Sequence, residues 1–466
     1  MSKIDEFLKF EKENDLFKYT YKGIYFWGLI RFEIYMKYFD KTENGHPDSN
    51  IKSFKNRFKF LKHMPKQIIK RICLKKKDIF ITDFNLYKII NNKRLNPYID
   101  FFNDININKH YHTSYNAIQS DDIIYEGTND SLFRISEFIL RKKFKILKKF
   151  KILKKSEAIT QCMDVLRKNM DVIIDEDYEY EIHYIMQIFL SRKNFYKKLI
   201  KNKFKCVIFE DHYNVNHMGL VLAARELDIP SVELQHGVIG RYHIAYHFNE
   251  ISFENTYLPD YIFTFGDYWT NTMNVPKGTV PISVGFPQMD LSKIYLKNII
   301  QDDKRIVFYS SGGIGRELSQ LAIEFAKISN KFGFTIKYKL HPSECKSWKI
   351  LYPKLVDNNK IEVVDEPINV HELLASAKFH VGVDSTVLFE ALAFNGVVFA
   401  YDIPGAHYMK DLIDMGYIHL FSDKNELFNL IKNNNKIIDA KLISENLFKQ
   451  NAIKNIESEI RKIIKL

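Results

Sequence analysis

The sequence is poor in the features that most directly reveal a protein's class. It contains four cysteines in 466 residues, and no two of them form a CxxC pair. This spacing excludes a zinc ribbon and a disulfide scaffold, so we expect isolated buried thiols in a reducing compartment. The cysteines are Cys73, Cys162, Cys206 and Cys345. No run of about 18 apolar residues occurs, so no membrane-spanning helix is predicted.

Markers of nucleic-acid binding, secretion and metal coordination are also missing. The sequence has no zinc-finger spacing, RNP1 motif or basic zipper, so nucleic acid is not an expected partner. The first residues, Met1 to Glu6, are charged and carry no apolar signal core. They favour the cytoplasm, with a peripheral position on the inner membrane left open. The acidic run 175–177 is interpreted as surface charge, and no metal site is predicted.

What the sequence does contain points to a large basic enzyme. A chain of 466 residues with 46% hydrophobic residues suits two α/β domains of roughly 200 residues each. The formal net charge of +12 favours an anionic partner, such as a phosphorylated substrate or a membrane surface.

Two arrays of alternating apolar runs predict two parallel sheets. In the first, the strands Cys206–Phe209 and Ser231–Leu234 flank a helix over Met218–Leu227, which is a βαβ unit. The strands predicted in the second array are Ile306–Tyr309, Thr335–Leu340, Ile361–Val364, His380–Val383 and Val397–Tyr401. The helices predicted between them are Arg316–Lys331, His371–Ala377 and Val387–Phe394. Strands that alternate with helices indicate doubly wound parallel sheets.

The chain therefore divides into an acceptor-binding domain over 1–290, a nucleotide-binding domain over 291–440 and a C-terminal helix over 441–466. Glycine and proline in Val284–Asp290 suit a turn at the junction, which places the linker near 285–303.

Ligands of open α/β sheets bind beyond the carboxyl ends of the strands, and this rule selects the candidate donor site. The candidates are Ser310, Ser311, Gly312, Gly313, His341, Pro342, Ser385, Thr386 and Glu390. Glycines and helix N-termini can hold a phosphate, imidazole can donate to one, and a glutamate one turn into a helix can bind ribose hydroxyls.

Each of these residues also has a purely structural interpretation. The Ser-Ser-Gly-Gly segment can be a tight turn, and His341 can be a structural histidine. Ser385 or Thr386 is a natural helix N-cap, and Glu390 can be an ordinary solvated side chain.

The first array offers two candidate bases for deprotonating an acceptor hydroxyl. His236 follows one predicted strand and Asp211 follows its neighbour. Histidine suits proton transfer near neutral pH, while Asp211 can act instead or orient the histidine. A structural hydrogen bond is the third interpretation of His236.

These motifs together resemble GT-B enzymes of bacterial surface-glycan assembly. The His341-Pro342 and Ser385-Thr386 pairs are similar to those of bacterial sialyltransferases, polysialyltransferases and teichoic-acid polymerases, in which they contact the donor phosphate. Gln235-His236-Gly237 looks like the Trp-His-Gly motif of teichoic-acid polymerases, whose histidine is the proposed base. The resemblance implies two Rossmann-like doubly wound domains facing an interdomain cleft, and a CMP- or CDP-linked donor as substrate, without a cofactor.

The expected function is metal-independent transfer of a sugar from a nucleotide donor to a glycan or lipid-linked acceptor. The alternatives are an isomerase like the UDP-N-acetylglucosamine 2-epimerases, a polyol-phosphate transferase, and a non-catalytic glycan-assembly partner.

One further segment is distinctive. Arg141–Lys155 has nine lysines and arginines, with apolar residues such as Phe144 and Leu147 along one broad side. Such a helix can lie on an anionic membrane or pack its apolar side on the domain.

Overall fold

Two parallel β-sheets wound with helices make up most of the described chain. The computed structural model describes residues 2–40, 64–82, 88–90, 93–113, 127–149, 156–169, 176–366, 368–433 and 440–466. Within these ranges no helix has both the length and the apolar composition needed to cross a bilayer.

The first sheet has seven strands, all paired in parallel. Its strands are β3 (Ile79–Thr82), β6 (Lys109–Thr113), β7 (Gly127–Asn129), β8 (Cys206–Glu210), β9 (Ser231–Leu234), β10 (Tyr261–Thr264) and β11 (Val280–Ser283). Two short hairpins accompany it, β1 (Thr20–Tyr21) with β2 (Ile24–Tyr25), and β4 (Lys88–Ile90) with β5 (Lys93–Leu95). The helices of this part are α1 (Lys3–Glu13), α2 (Trp27–Ile34), α3 (Met64–Ile72), α4 (Ser131–Lys149), α5 (Glu157–Asn169), α6 (Glu176–Ile200), α7 (Val215–Arg225), α8 (Asp267–Thr272) and α9 (Pro287–Tyr295).

The second sheet has six parallel strands. They are β12 (Asp302–Tyr309), β13 (Thr335–Lys339), β14 (Ile361–Val364), β15 (Ala377–Gly382), β16 (Val397–Tyr401) and β17 (Ile418–Phe421). The remaining helices are α10 (Gly315–Ser329), α11 (Trp348–Leu351), α12 (Pro353–Val356), α13 (Val370–Ser376), α14 (Thr386–Ala393), α15 (Lys410–Asp414), α16 (Lys424–Asn433), α17 (Ala440–Leu447) and α18 (Ala452–Ile463).

The strand order places a ligand-binding crevice in each sheet. The order is β11-β10-β9-β8-β3-β6-β7 in the first sheet and β14-β13-β12-β15-β16-β17 in the second. In each sheet, strands later in the chain lie farther out on both sides of a central pair. The strand order reverses direction at this pair, which is β3 with β8 in the first sheet and β12 with β15 in the second. Ligands of doubly wound sheets bind beyond the strand ends at such a reversal.

The predicted parallel sheets and their strands are confirmed, with shifted ends. The predicted strand His380–Val383 begins earlier, at Ala377, so the helix predicted to end there stops at Ser376. The tail 440–466 forms two helices rather than one, because Asn451 takes a left-handed conformation with φ of 62° between them.

The C-terminal helices pack back against the first sheet. The backbone amide of Lys449 donates to Phe265 O at 2.8 Å, and the Asn455 side chain donates to Val284 O at 2.9 Å. Gly285 makes this approach possible, because it has φ of 104° and a Cβ there would lie 2.2 Å from Lys449 O. The glycine of the predicted junction therefore allows the tail to cross between the sheets.

The N-terminal segment is fastened to a loop of the first sheet through Arg31. Its buried guanidinium pairs with Glu11, donates to the carbonyl oxygens of Ile244 and His247, and lies 4.1 Å from the centre of the Phe248 ring. Because a buried charge must be paired, this arrangement fixes the loop that follows β9.

Candidate active site

The loops that follow the strand ends of the two sheets lie against each other. A Cβ added to Gly237, just after β9, would lie 3.9 Å from Thr386 Oγ1 at the start of α14. Farther along the same loop, the Tyr242 hydroxyl donates to Asp411 Oδ1 at 3.4 Å. The structure thus brings the predicted acceptor-side and donor-side segments together.

Glu233 is the centre of a buried polar network on the acceptor side. It lies within β9, is fully buried, and accepts from the backbone amide of His212 at 3.0 Å and from its Nδ1 at 2.8 Å. The hydroxyl of Tyr246 donates to the same carboxylate at 2.7 Å. Burial acts to raise the pKa of Glu233, but the contacts with His212 and Tyr246 outweigh it and lower that pKa.

Asp211 lies beside this network, directly after β8. Its backbone is left-handed, with φ of 61°, an uncommon conformation for a residue with a side chain. The carboxylate is buried, and among the described residues its Oδ1 has no hydrogen-bond partner. Burial and the nearby charge of Glu233 raise the pKa of Asp211 well above its usual value.

His236 lies just after β9, beside Gly237. Its half-buried ring has Nε2 3.3 Å from the Tyr213 hydroxyl, while Nδ1 is shielded from solvent and has no partner among the described residues. Burial lowers the pKa of His236 to about 4, although the charge of Glu233 opposes the shift. The ring is therefore neutral at pH 7 and retains one nitrogen that can accept a proton.

The side chain of Gln235 holds this loop in place. Its Nε2 donates to Gly237 O at 2.9 Å and its Oε1 accepts from the Phe265 amide at 2.7 Å. The glutamine thus ties the end of β9 to the end of β10 and fixes the position of His236.

On the donor side, Glu344 joins two of the predicted loops. Its buried carboxylate accepts from Ser310 Oγ at 2.9 Å and from the His341 amide at 2.7 Å, and it also bonds the Tyr352 hydroxyl. Gly315 lies against this group, since a Cβ there would clash with the Tyr352 hydroxyl at 2.0 Å. The loops after β12 and β13 are therefore held side by side.

The predicted phosphate-binding groups are the more accessible part of this side. Ser311 and Gly312 are half-buried, whereas Gly313, His341 and Pro342 are exposed. His341 Nδ1 is 2.7 Å from Ser343 Oγ, and a Cβ at Gly312 would lie 3.7 Å from the same nitrogen. The imidazole thus stands beside the glycine loop, as the sequence suggested.

Ser385 and Thr386 form the start of α14. Ser385 is the N-cap, and its hydroxyl accepts from the Val387 amide at 3.4 Å. Thr386 is half-buried and faces Gly237. Ser385 therefore caps the helix, while its neighbour Thr386 faces the end of the first sheet.

Glu390 is buried at 1% exposure, so it is not a solvated glutamate. Its Oε2 is 3.0 Å from His371 Nε2, and His371 Nδ1 is 2.6 Å from Ser292 Oγ of α9. This chain of hydrogen bonds links α14 to the helix at the domain junction.

Sequence reasoning missed the two glutamates that organise the site. Glu233 could have been recognised as a lone acid inside the apolar strand Ser-Val-Glu-Leu, and Glu344 follows His341 by three residues. Charged residues are rarely buried unless they are paired, so an acid in an apolar strand is the stronger of the two signals. Within the described ranges, no cluster of three or more potential metal ligands occurs.

No protein-family model matches the chain, and no curated protein matches it either. Solved structures do. MnaA of S. aureus, in a structure with UDP, is 13% identical over 84% of this chain and 97% of its own, with a TM-score of 0.50. The calicheamicin glycosyltransferase CalG4 is 11% identical over 84% and 98%, with a TM-score of 0.48. The UDP-GlcNAc 2-epimerase of Methanocaldococcus jannaschii is 14% identical over 83% and 99%, with a TM-score of 0.47.

At these identities, the likeness to MnaA shows a common fold. Together with the two parallel sheets, it confirms the predicted GT-B arrangement of two Rossmann-like domains.

Proposed function

We propose that this protein transfers a sugar from a nucleotide-activated donor to a bacterial surface-glycan acceptor. The carrying observation is that Gly237, at the end of a strand in the first sheet, lies next to Thr386, at the start of α14 in the second. One side supplies ionisable groups and the other supplies hydroxyls and amides at a helix N-terminus. Sugar transfer needs both, because a base must deprotonate the acceptor hydroxyl while an anion site stabilises the leaving phosphate.

The nucleotide donor binds at the ends of β12, β13 and β15 in this proposal. The amides of Ser311 and Gly312 and the N-terminus of α14 supply donors and positive dipole for the phosphates, and His341 donates a further hydrogen bond. The Gly313 amide already donates to Ser311 O at 2.8 Å. A CMP- or CDP-linked donor is favoured, because the His-Pro and Ser-Thr pairs resemble those of enzymes that use such donors. The nucleotide is a substrate, and these dipoles offset the charge of the leaving group without a metal.

The acceptor, a glycan that is free or lipid-linked, binds on the first sheet with its hydroxyl near His236. The neutral ring acts as the proton acceptor, and the Tyr213 hydroxyl, 3.3 Å from its Nε2, helps to orient it. Burial lowers the pKa of His236, but the negative charge of Glu233 acts against this shift and so stabilises the imidazolium that forms.

Asp211 is the competing base. Burial and the charge of Glu233 raise its pKa well above the ordinary aspartate value, which makes the carboxylate a stronger base, but it is more deeply buried than the histidine ring. Substituting each residue separately distinguishes the two assignments.

The cytoplasm is the proposed compartment, because the spacing of the four cysteines suits free thiols in a reducing environment. Of these thiols, Cys162 and Cys206 are buried as predicted, whereas Cys73 is exposed and Cys345 is half-buried.

A thermal-shift panel of CMP, CDP, UDP and GDP tests the donor site. Ligand at about 100 times its Kd stabilises the folded state by about 2.7 kcal/mol, so one nucleotide should raise the melting temperature clearly. If none of the four does so, the chain has no nucleotide site and a non-catalytic role in glycan assembly is favoured.

Turnover of the matching nucleotide sugar with and without acceptor then tests the reaction. Release of nucleotide that requires a glycan acceptor is the expected result. Isomerised donor formed without acceptor would instead indicate a 2-epimerase-like enzyme. Transfer of a polyol phosphate from a CDP-linked donor would indicate a transferase of the teichoic-acid polymerase type.

A further inference from the structure

The helix α3 is amphipathic in the opposite sense to a normal surface helix. Its polar residues face the protein: Gln67 is buried and accepts from the Asn129 amide at 2.9 Å, and Lys70 Nζ donates to Gly127 O at 2.9 Å. Its isoleucines face outward. Ile68, Ile69 and Ile72 are 44%, 61% and 77% exposed. A soluble surface helix normally buries its apolar side and exposes its polar side.

The neighbouring helix α4 adds a second exposed stripe. Ile139 and Ile146 are 58% and 55% exposed, and both lie on one side of the helix because they are seven residues apart. Lys142 and Lys143 lie between them and are also exposed. The single acid of this helix, Glu137, is already engaged, since its Oε2 lies 3.6 Å from the guanidinium of Arg192.

The side of α4 that the sequence suggested for membrane contact instead packs on the protein. The Phe144 ring meets Tyr184 of α6 edge-on, with 5.4 Å between the ring centres. The segment 150–155, the rest of the basic run, lies outside the described residues.

Helix α3 packs against both α4 and β7, the edge strand of the first sheet, so both helices with exposed isoleucines lie at the same edge of the protein. We name this surface the isoleucine-lysine face. It comprises Lys66, Ile68, Ile69, Ile72, Ile139, Lys142, Lys143 and Ile146. Contiguous exposed apolar residues on a soluble protein mark an interaction site.

We propose that the isoleucine-lysine face binds an anionic membrane surface. Isoleucine side chains can enter the boundary between headgroups and acyl chains, while the lysines among them contact anionic headgroups. The mixture of apolar and basic residues matches this partner better than it matches a second copy of the same face, since like charges would then meet. The proposal stands without the proposed catalytic function, although it would bring the acceptor domain to lipid-linked glycans.

Sedimentation of the full-length protein with vesicles tests the proposal. The protein should pellet with vesicles of phosphatidylglycerol and phosphatidylcholine, and much less with phosphatidylcholine alone. The triple substitution Ile69→Ser, Ile72→Ser and Ile146→Ser should weaken binding roughly tenfold or more. The charge variant Lys66→Gln, Lys142→Gln and Lys143→Gln should bind less and lose most of its dependence on salt.

The matched control is Ile300→Ser with Ile350→Ser. These isoleucines are 89% and 84% exposed but lie outside the face, so this variant should pellet like the wild type. All variants should keep the wild-type melting temperature, because the altered side chains are exposed.

Undiminished pelleting of the triple serine variant, or equal loss in the control variant, would overturn the proposal. A wild-type protein that does not pellet with vesicles would also overturn it if light scattering shows that the wild type is a dimer and the triple serine variant a monomer. The face would then be a self-association interface.

Discussion

The two sheets have the same arrangement of strands, yet the residues at their carboxyl ends differ in kind. In the first sheet, burial raises the pKa of Asp211 and lowers that of His236, while contacts with His212 and Tyr246 outweigh burial and lower the pKa of Glu233. The second places Ser311–Gly313 and His341 at or near the surface. In the proposed function, the same topological position therefore serves two different chemical tasks.

The difference follows from what each task requires of the solvent. A proton-transfer group needs a pKa that burial and neighbouring charges can adjust, so water must be largely excluded. A phosphate site needs donors that are positioned in advance but accessible to a diffusing anion, which backbone amides at a helix N-terminus provide. Substitutions on the two sides should therefore affect different measurements.

The largest effect should come from His236→Gln. Loss of a positioned base lowers turnover by about 100- to 10,000-fold, while donor affinity should change little because His236 lies on the acceptor side. Steady-state kinetics with a saturating donor, together with calorimetric donor binding, would measure both quantities.

His380→Gln is the matched control for that variant. His380 is buried in the second sheet, with Nδ1 3.0 Å from the Tyr309 hydroxyl, and it also has its pKa lowered to about 4. Turnover per folded molecule should be preserved in this variant. Near-normal turnover of His236→Gln together with an inactive Asp211→Asn would assign the base to Asp211.

The same two histidines should make the fold sensitive to acid. Each has a folded-state pKa of about 4, below the ordinary value of 6.5. Stability is therefore complete above about pH 6.5 and is lost as the pH falls toward 4, by up to about 3 kcal/mol for each histidine. Denaturant unfolding at pH 7 and pH 4.5 should show a smaller difference in each glutamine variant than in the wild type. An unchanged difference would mean that the histidine does not remain neutral on folding.

Much of this arrangement could be predicted, because the strand ends carry it. Short apolar runs such as Cys206–Phe209 and Ile306–Tyr309 are the sequence pattern of buried parallel strands, and the polar residues after them must lie at one sheet edge. The strand β6, Lys-His-Tyr-His-Thr, escaped detection because its polar residues are buried by tertiary contacts, for example His112, whose Nδ1 lies 2.9 Å from Thr128 Oγ1.

The buried networks could not be predicted from local pattern. The bond from His212 to Glu233 joins two strand ends 21 residues apart. Whether Asp211 Oδ1 has a hydrogen-bond partner likewise depends on how side chains from other elements pack around it, and among the described residues it has none. Sequence spacing identifies which residues share an edge, but hydrogen-bond partners at that edge are fixed by packing.

On the donor side, His341→Ala should weaken nucleotide binding without weakening the fold. A hydrogen bond to a charged phosphate contributes about 1.5–3 kcal/mol, and His341 is exposed, so its removal leaves little buried surface uncovered. Calorimetric titration with the preferred nucleotide would measure the loss. Ser343→Ala, which removes only the hydroxyl 2.7 Å from Nδ1, should cost less. Unchanged affinity in His341→Ala would remove this histidine from the donor site.

The smallest effect is expected from Asp211→Asn, and it has the opposite sign for stability. Burial and Glu233 raise the pKa of Asp211, so the folded state holds this proton more tightly than the unfolded state does. Stability is consequently lost as the pH rises from the ordinary aspartate pKa, about 3.9, through the folded value. The amide cannot ionise, so at pH 7 the free energy of unfolding of the variant should exceed that of the wild type by about 0.5–2 kcal/mol, as is common for stabilising substitutions. The variant should therefore also unfold at a higher temperature. The advantage should shrink as the pH falls below the ordinary aspartate pKa, where wild-type Asp211 is protonated in both states. A purely structural aspartate would instead give a variant that is less stable at every pH. A gain in stability accompanied by reduced turnover would indicate that the burial of Asp211 lowers the stability of the fold but is needed for the reaction.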